Sequence, residues 1–391
     1  MPLHFTPAEF ERRRGATLAA MAHDKIDGLL MFRQESMYWL TGYDTFGFCF
    51  FQCLVMSARG DIKLLTRKPD LRQAKLTSNI TDIRIWKDAE AANPALDLKE
   101  LLKEMRLEGK TLGVEYEAYG LTARNGKRLD GALEGFAKLV DASFLVSRIR
   151  IVKSEEELAY IRKAGDIADL MLEDCYRLCR PGAWEGDIIA AMEASNFRND
   201  GDPPGNENII GSGEMAALGR YHAGRRHLDH NDQLLVEFAA AYRHYHAAMM
   251  RTMRVGEPNP TQKKLHEIGV EALQSCQSAA CRIGEPIGTI YQAFMKVVTG
   301  SGYDFKDGAE AACGYSVGYA LGSTFAPNWM DWPLLYRDNP LPIEENMVFF
   351  MHMTLRDDGR GLNCAPGETM IVKKAGPERV SKASLEFKVF G

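Results

Sequence analysis

No stretch of this chain is both long and apolar enough to cross a bilayer; the greasiest run, residues 48–56, has the length of a strand. Excess positive charge is missing as well. Lys and Arg number 48 against 53 Asp and Glu, for a net charge of −5 and a pI near 6.0, which argues against nucleic acid as a partner. The N-terminal residues show neither the basic nor the apolar region of a secretory signal. Eight cysteines spread over 391 residues make no disulfide framework, and neither Cys175/Cys179 nor Cys276/Cys281 has a zinc-type spacing. Reduced, buried thiols in a cytoplasmic protein are therefore expected. There is no low-complexity segment. What is present is an ordinary globular balance, 46% hydrophobic and 26% charged, in a length that suits two domains.

Thr6 and Glu9 form a capping-box pattern ahead of a helix running towards Met21. Short apolar runs at 28–32, 49–56, 62–65, 83–86 and 111–114 follow, with helical stretches at 96–107 and 118–129. Strands alternating with helices predict an α/β layer domain over residues 1–148. A second capping box, Ser154-Glu-Glu-Glu157, opens a helix that ends at Arg180-Pro181-Gly182. Beyond it the pattern repeats coarsely: helices at 155–179 and 184–198 and a hairpin within 208–254, then helices at 261–278 and 288–299 and strand-like runs at 313–321, 347–355 and 367–373. Residues 199–208 and 325–333 read as loops.

Residues 233–252 carry the strongest chemical signal. They read as strand, tight turn and strand, with Glu237 set among Leu235, Val236 and Phe238. A carboxylate in such company is costly unless paired or poised for chemistry. Glu237 can attack an electrophilic carbon, activate water or anchor a cation; an ion pair with Arg251 or Arg254 is the structural alternative.

Several motifs in this order resemble the creatinase/Xaa-Pro peptidase family with the "pita-bread" catalytic fold. Met37-Tyr-Trp-Leu-Thr-Gly-Tyr43 resembles its N-terminal signature. Ile149-Arg-Ile-Val-Lys153 with the following capping box resembles the opening of its catalytic domain. The 233–252 hairpin resembles the first metal-binding hairpin, and Gly314-Tyr-Ser-Val-Gly318 stands where the family has a glycine-flanked histidine. The resemblance implies a creatinase-type α/β N-terminal domain over 1–148 and an α+β pita-bread domain of two pseudo-symmetric halves over 149–391. It also implies that family metallopeptidases hold two metals through two Asp, one His and two Glu. Those positions correspond here to Glu237, Ala248, Tyr315, His352 and either Gly367 or Glu368, a set from which a dinuclear site is not expected. No metal and no cofactor is expected.

The resemblance adds His222, where the family places an active-site histidine, as a proton shuttle. His246, on the second hairpin strand, becomes Glu237's partner if the turn falls at 241–243. Tyr315, Ser316, His352 and Glu368 are expected to bind substrate. Trp329, Tyr43 and Phe46, with Trp39 and Trp332, are expected to form an aromatic box for a delocalised cation. Core packing is the plain alternative for each histidine and aromatic. The resemblance further implies a homodimer whose N-terminal domains contribute to the partner's site.

The metal-free branches, creatinase and ectoine hydrolase, are the nearest in pattern. Creatinase's substrate-binding Glu positions fall on Met250 and His352, which argues against creatine. The leading expectation is a metal-independent hydrolase of a C–N bond in a small, polar, nitrogen-rich metabolite. The alternatives are an Xaa-Pro peptidase with an atypical single-metal site built from Glu237, His246 or His352, and Glu368, and a catalytically silent binding protein. A lyase acting on a small zwitterion ranks below them.

Overall fold

Each apolar run becomes a strand, and the capping residues fix where helices begin. The structure, a computed structural model, describes residues 3–220, 225–305, 308 and 314–391. It divides into two units, Met1–Arg150 and Ile151–Gly391, so the expected boundary at 148/149 falls inside the last helix of the first unit.

The first unit contains β1 (Gly28–Met31), β2 (Cys53–Ser57), β3 (Ile62–Arg67), β4 (Asp82–Trp86), β5 (Thr111–Val114) and β6 (Lys138–Asp141). Its helices are α1 (Pro7–His23), α2 (Gln34–Thr41), α3 (Leu71–Thr77), α4 (Pro94–Glu104), α5 (Ala123–Leu133) and α6 (Leu145–Arg150). The sheet order is β4-β3-β2-β1-β5-β6. Central β1 is buried on both faces: Leu30 packs in one core, Leu29 and Met31 in the other. Helix α5 starts later than the 118–129 pattern suggested because Thr122 caps it, accepting from the Asn125 amide.

The motif at 37–43 forms α2 and its C-cap. Gly42 adopts φ +80°, and its amide bonds the Tyr38 carbonyl at 2.7 Å. This places Trp39 and Tyr43 in the core. Arg13 lies over the Trp39 ring, and the Tyr43 hydroxyl donates to Gln52 Oε1 at 3.2 Å. Neither is open to a ligand, so both leave the expected aromatic box. Phe46 is the contrary case, 78% exposed.

In the second unit, α7 (Glu155–Leu178) and α8 (Glu185–Arg198) precede β7 (Ile209–Ser212), β8 (Asp232–Tyr242) and β9 (Tyr245–Val255). Then α9 (Pro260–Ala279) and α10 (Gly288–Gly300) precede β10 (Ser316–Ala320), β11 (Asp331–Tyr336), β12 (Val348–His352), β13 (Leu355–Asp357), β14 (Leu362–Cys364) and β15 (Gly367–Ile371). Two helices followed by strands, twice, is the repeat the sequence suggested. The expected loop at 325–333 is cut short by β11, which takes in Trp332. The Ser154 capping box forms fully, and Glu157 also accepts from the Tyr245 hydroxyl at 2.7 Å, tying α7 to the hairpin.

The large sheet runs β11-β10-β12-β15-β9-β8-β7. One face is covered by helices. Val236, Phe238, Met249 and Met253 pack with Ile167, Met171 and Met192 of α7 and α8, while Phe349, Met351 and Met370 pack with Leu265, Ile290 and Phe294 of α9 and α10. Strand alternation therefore sends Glu237, Met250, Phe350 and His352 to the other face.

The hairpin turn is Arg243-His244, with φ +51° and +62°, a two-residue turn of the type that matches strand twist. Neither residue favours that region, and tertiary contacts hold it instead. The His244 amide donates to Asp202 Oδ2 at 3.0 Å, and its ring stacks on Phe325 at 4.3 Å. The turn thus overlaps the expected 241–243 only at Arg243, and the register pairs Glu237 with Met250 and Ala241 with His246.

Candidate active site

Glu237 sits in a row of directly paired residues across four strands. Glu237 faces Met250, Met250 faces Gly367, and Gly367 faces His352. The row is tight at its centre: a Cβ on Gly367 would lie 3.0 Å from both the His352 and Met250 Cβ atoms.

Glu237 is only 8% exposed. Burial pushes its carboxyl up to about 7, opposed by the charge of Arg220 and by the nearby Tyr319 hydroxyl. Tyr319 is four strands away along β8-β9-β15-β12-β10. A flat sheet would separate the two backbones by about 19 Å at ~4.8 Å per strand. Their interaction therefore requires the open face to curl into a trough, with Glu237 on one wall and β10 on the other. Buried Tyr319 accepts from Trp329 Nε1 at 2.8 Å. Gly318 makes this possible. Its φ is +143°, a Cβ there would lie 2.0 Å from the Phe350 carbonyl oxygen, and the register of β10 shifts beside it.

His352 completes the trough with Phe350 and Tyr319. Ring centroids are 5.3 Å apart for His352 and Phe350, 5.8 Å for His352 and Tyr319, and 5.5 Å for Tyr319 and Phe350. Burial alone lowers the imidazole to about 4, so it is neutral at physiological pH. Its Nδ1 is buried with no hydrogen-bond partner among the described residues. An orphan polar atom on a ring packed beside Tyr319 and Phe350 is an invitation to a ligand donor or acceptor.

Other expected residues sit differently. His246 is on the Glu237 face but four rungs along, about 14 Å at ~3.4 Å per residue. Both its nitrogens are used: Nε2 accepts from the Gly205 amide at 2.9 Å, and Nδ1 lies 3.1 Å from Thr324 Oγ1. Burial lowers it to about 4. It is a structural residue, not Glu237's proton partner. Glu368 faces away from the trough, opposite Met351 and Met249. There Arg251 Nη2 donates to it at 2.5 Å and Arg379 Nε at 2.7 Å, so it cannot contact substrate. Arg251 stands opposite Val236 on that same helix-covered face, which removes the proposed Glu237–Arg251 ion pair. Arg254 instead donates to the Glu257 carbonyl.

Tyr315 is 89% exposed and the Ser316 hydroxyl donates to the Gly318 carbonyl at 2.8 Å, so neither points a free group into the trough. Trp329 acts through Tyr319 rather than as an open box wall. His222 lies outside the described residues. Sequence reading missed Tyr319, Phe350 and Arg220. The Gly318 bulge was the one local hint for Tyr319; nothing in the sequence placed Arg220 near Glu237 or Phe350 beside Tyr319.

The side chains at the expected ligand positions are a poor donor set for a two-metal centre. Ala248 and Gly367 offer no side-chain ligand, Tyr315 faces solvent, and Glu237 and His352 are separated by Met250 and Gly367. Among the described residues no three His, Cys, Asp or Glu side chains cluster as a metal would need. The residues do not fit such a centre. No helix among the described residues is long and apolar enough to cross a membrane.

Residues 159–374 match metallopeptidase family M24, and residues 13–152 match the creatinase/prolidase N-terminal domain. The chain is 25% identical to an ectoine hydrolase of Halomonas elongata over 398 residues, covering 97% of this chain and 96% of that protein. It is also 25% identical to an Xaa-Pro dipeptidase of Pyrococcus horikoshii over 368 residues, covering 94% and 95%. Its fold is similar to that of an Xaa-Pro dipeptidase from Bacillus anthracis, with a TM-score of 0.83 at 20% identity, covering 97% and 99%.

Proposed function

The chain belongs to metallopeptidase family M24, and on that footing we propose that it is a metal-independent hydrolase opening a C–N bond in a small, nitrogen-rich cation such as a cyclic amidine. One observation carries this reading: a single buried carboxyl, Glu237, held near neutrality in a trough where the family's other ligand positions offer little besides a neutral imidazole.

A carboxyl with a pKa of about 7 is populated in both forms at neutral pH, the best condition for taking and returning one proton. Ionised Glu237 takes a proton from water as the water oxygen bonds to the amidine carbon. The C–N bond then breaks, and the same proton passes from Glu237 to the leaving nitrogen. Tyr319, Phe350 and His352 supply ring faces for a delocalised cation, and His352 Nδ1 takes a substrate hydrogen bond. The similarity to an ectoine hydrolase over nearly the full chain supports this substrate class. A homodimer is part of the proposal, with exposed Phe46 as an aromatic that the N-terminal unit can lend to a partner.

The equal identity to an Xaa-Pro dipeptidase supports a second reading, a peptidase with an atypical metal site. Chelator-treated protein incubated with ectoine, hydroxyectoine, creatine and Xaa-Pro dipeptides, with products followed by mass spectrometry, separates the two. Ring opening that survives the chelator supports the first reading. Dipeptide cleavage that needs added Mn²⁺ or Co²⁺ replaces it with the second.

A further inference from the structure

The uncovered face of the large sheet is not uncovered along its whole length. Glu237 is 8% exposed and His352 is half-buried, whereas Ala239, Ala241 and His246, nearer the hairpin turn on the same face, are at 0%. Two loops cover them. The first leaves the edge of β8 at Asp202, whose amide donates to the Ala241 carbonyl at 2.8 Å. It rejoins that edge at Asn208, whose Oδ1 accepts from the Ala239 amide at 3.2 Å. Between these points it arches over the sheet, because the Gly205 amide donates at 2.9 Å to Nε2 of His246, a ring on the Glu237 face of β9.

The second loop pairs with the end of β9. The His246 amide donates to the Gly322 carbonyl and the Thr324 amide to the His244 carbonyl, both at 3.2 Å. It then runs to Trp329, whose amide donates to Asn206 Oδ1 in the first loop at 3.2 Å. The two loops touch at their backbones: a Cβ on Gly205 would lie 2.8 Å from the Asn328 carbonyl and from the Trp329 nitrogen.

His246 carries both loops. Accepting from the Gly205 amide requires an unprotonated Nε2, so the ring proton sits on Nδ1. Nδ1 donates to Thr324 Oγ1 at 3.1 Å, and that hydroxyl gives its own proton to the Trp329 carbonyl at 3.2 Å.

We infer that His246 is a specificity-setting positioning residue, the post of a two-loop roof that closes the trough on the hairpin-turn side of Glu237. This rests on the reading of Glu237 as the reacting carboxyl. The floor on that side is Ala239 and its partner Ala248, about 7 Å from the Glu237 rung at ~3.4 Å per residue, and the roof post stands two residues further on. A substrate group pointing that way is compact, and any larger substituent points the opposite way. The roof gives the Pro327-Asn-Trp329 motif and the hairpin histidine one shared task.

The test applies thiol reagents of two sizes to the full chain, 2-aminoethyl methanethiosulfonate and a fluorescein maleimide, with labelled cysteines located by mass spectrometry. Met250→Cys sits at the Glu237 rung and Ala248→Cys under the roof. Met250→Cys should take the small reagent at least about 10-fold faster than Ala248→Cys, which the maleimide should not reach. Adding His246→Leu or Gly205→Ala should speed labelling of Ala248→Cys by about 10-fold or more, as lost buried hydrogen bonds or a forced separation of the loops imply. His246→Gln, whose amide can accept from Gly205 and donate to Thr324, should keep the protection. Native Cys175 and Cys276, both buried, should stay unlabelled throughout and so exclude general unfolding. An Ala248→Cys thiol as reactive as Met250→Cys under the intact roof overturns the inference, as does protection that survives both His246→Leu and Gly205→Ala. If labelling behaves as expected while no amidine is cleaved, the roof stands and the substrate reading falls.

Discussion

Glu237 and His352 lie in one rung of the central sheet, with Met250 and Gly367 filling the strands between them. A carboxylate and an imidazole so placed face a common trough without touching. The apolar and side-chain-free residues between them occupy the rung where chelating groups would have to converge.

Glu237→Gln should separate activity from stability. Hydrolysis is expected to fall by about 10³-fold or more, since one group serves as base and acid. Stability should move the other way. Folding raises this carboxyl from 4.5 to about 7, so between those values the folded chain holds a proton that the unfolded chain has lost. Wild-type stability therefore declines as pH rises from 4.5 to 7. The variant should be more stable than wild type at pH 8, by up to about 3 kcal/mol, and no more stable at pH 4. Urea unfolding at the two pH values checks this.

The pH profile of kcat/KM should rise with pH through a single step near 7, as the base must be ionised. Tyr319→Phe removes a hydroxyl that holds this carboxyl down, so the step should move to higher pH. His352, lowered to about 4, should contribute no step above pH 5. A profile flat between pH 6 and 8 would remove Glu237 as the base.

The two histidines should part company under mutation. His246→Ala leaves the buried Gly205 amide unsatisfied, removes the ring partner of Thr324, and should cost about 2–4 kcal/mol in urea unfolding. His352→Ala breaks no hydrogen bond among the described residues and should chiefly raise KM, by about 10-fold. With His246 folded at about 4 against 6.5 unfolded, its contribution to stability is complete above pH 6.5 and is lost as pH falls towards 4.

Glu368→Ala should destabilise by about 3–5 kcal/mol by stranding Arg251, whose side chain is buried on the helix-covered face. Kinetic constants per folded molecule should stay near wild type. A selective loss of kcat at wild-type thermal stability would show that this carboxyl reaches the reaction after all.

Much of the fold was legible. The Thr6 N-cap and the Ser154 capping box, the alternation of strands with helices, and the two-helix repeat are local signals, and local hydrogen bonds set the two helix starts. Glu237 was legible for the same reason: a carboxylate between apolar strand neighbours is anomalous whatever the rest of the chain does. Register was not legible. The turn at Arg243-His244 lacks turn-favouring residues and depends on Asp202 and Phe325, so the sequence could not say that His246 lies four rungs from Glu237. A single-residue ambiguity at Gly367/Glu368 was enough to reverse faces, because strand side chains alternate with period two.

What the sequence determined alone was which side chains exist to do chemistry: an isolated buried acid and too few chelators. What tertiary structure decided was their company. Sheet order and curl bring Tyr319 from a distant strand towards Glu237 and group Phe350 and His352 with it, and they send Glu368 and Arg251 to the covered face. Those neighbours are set by long-range pairing between strands, and no window of sequence contains it.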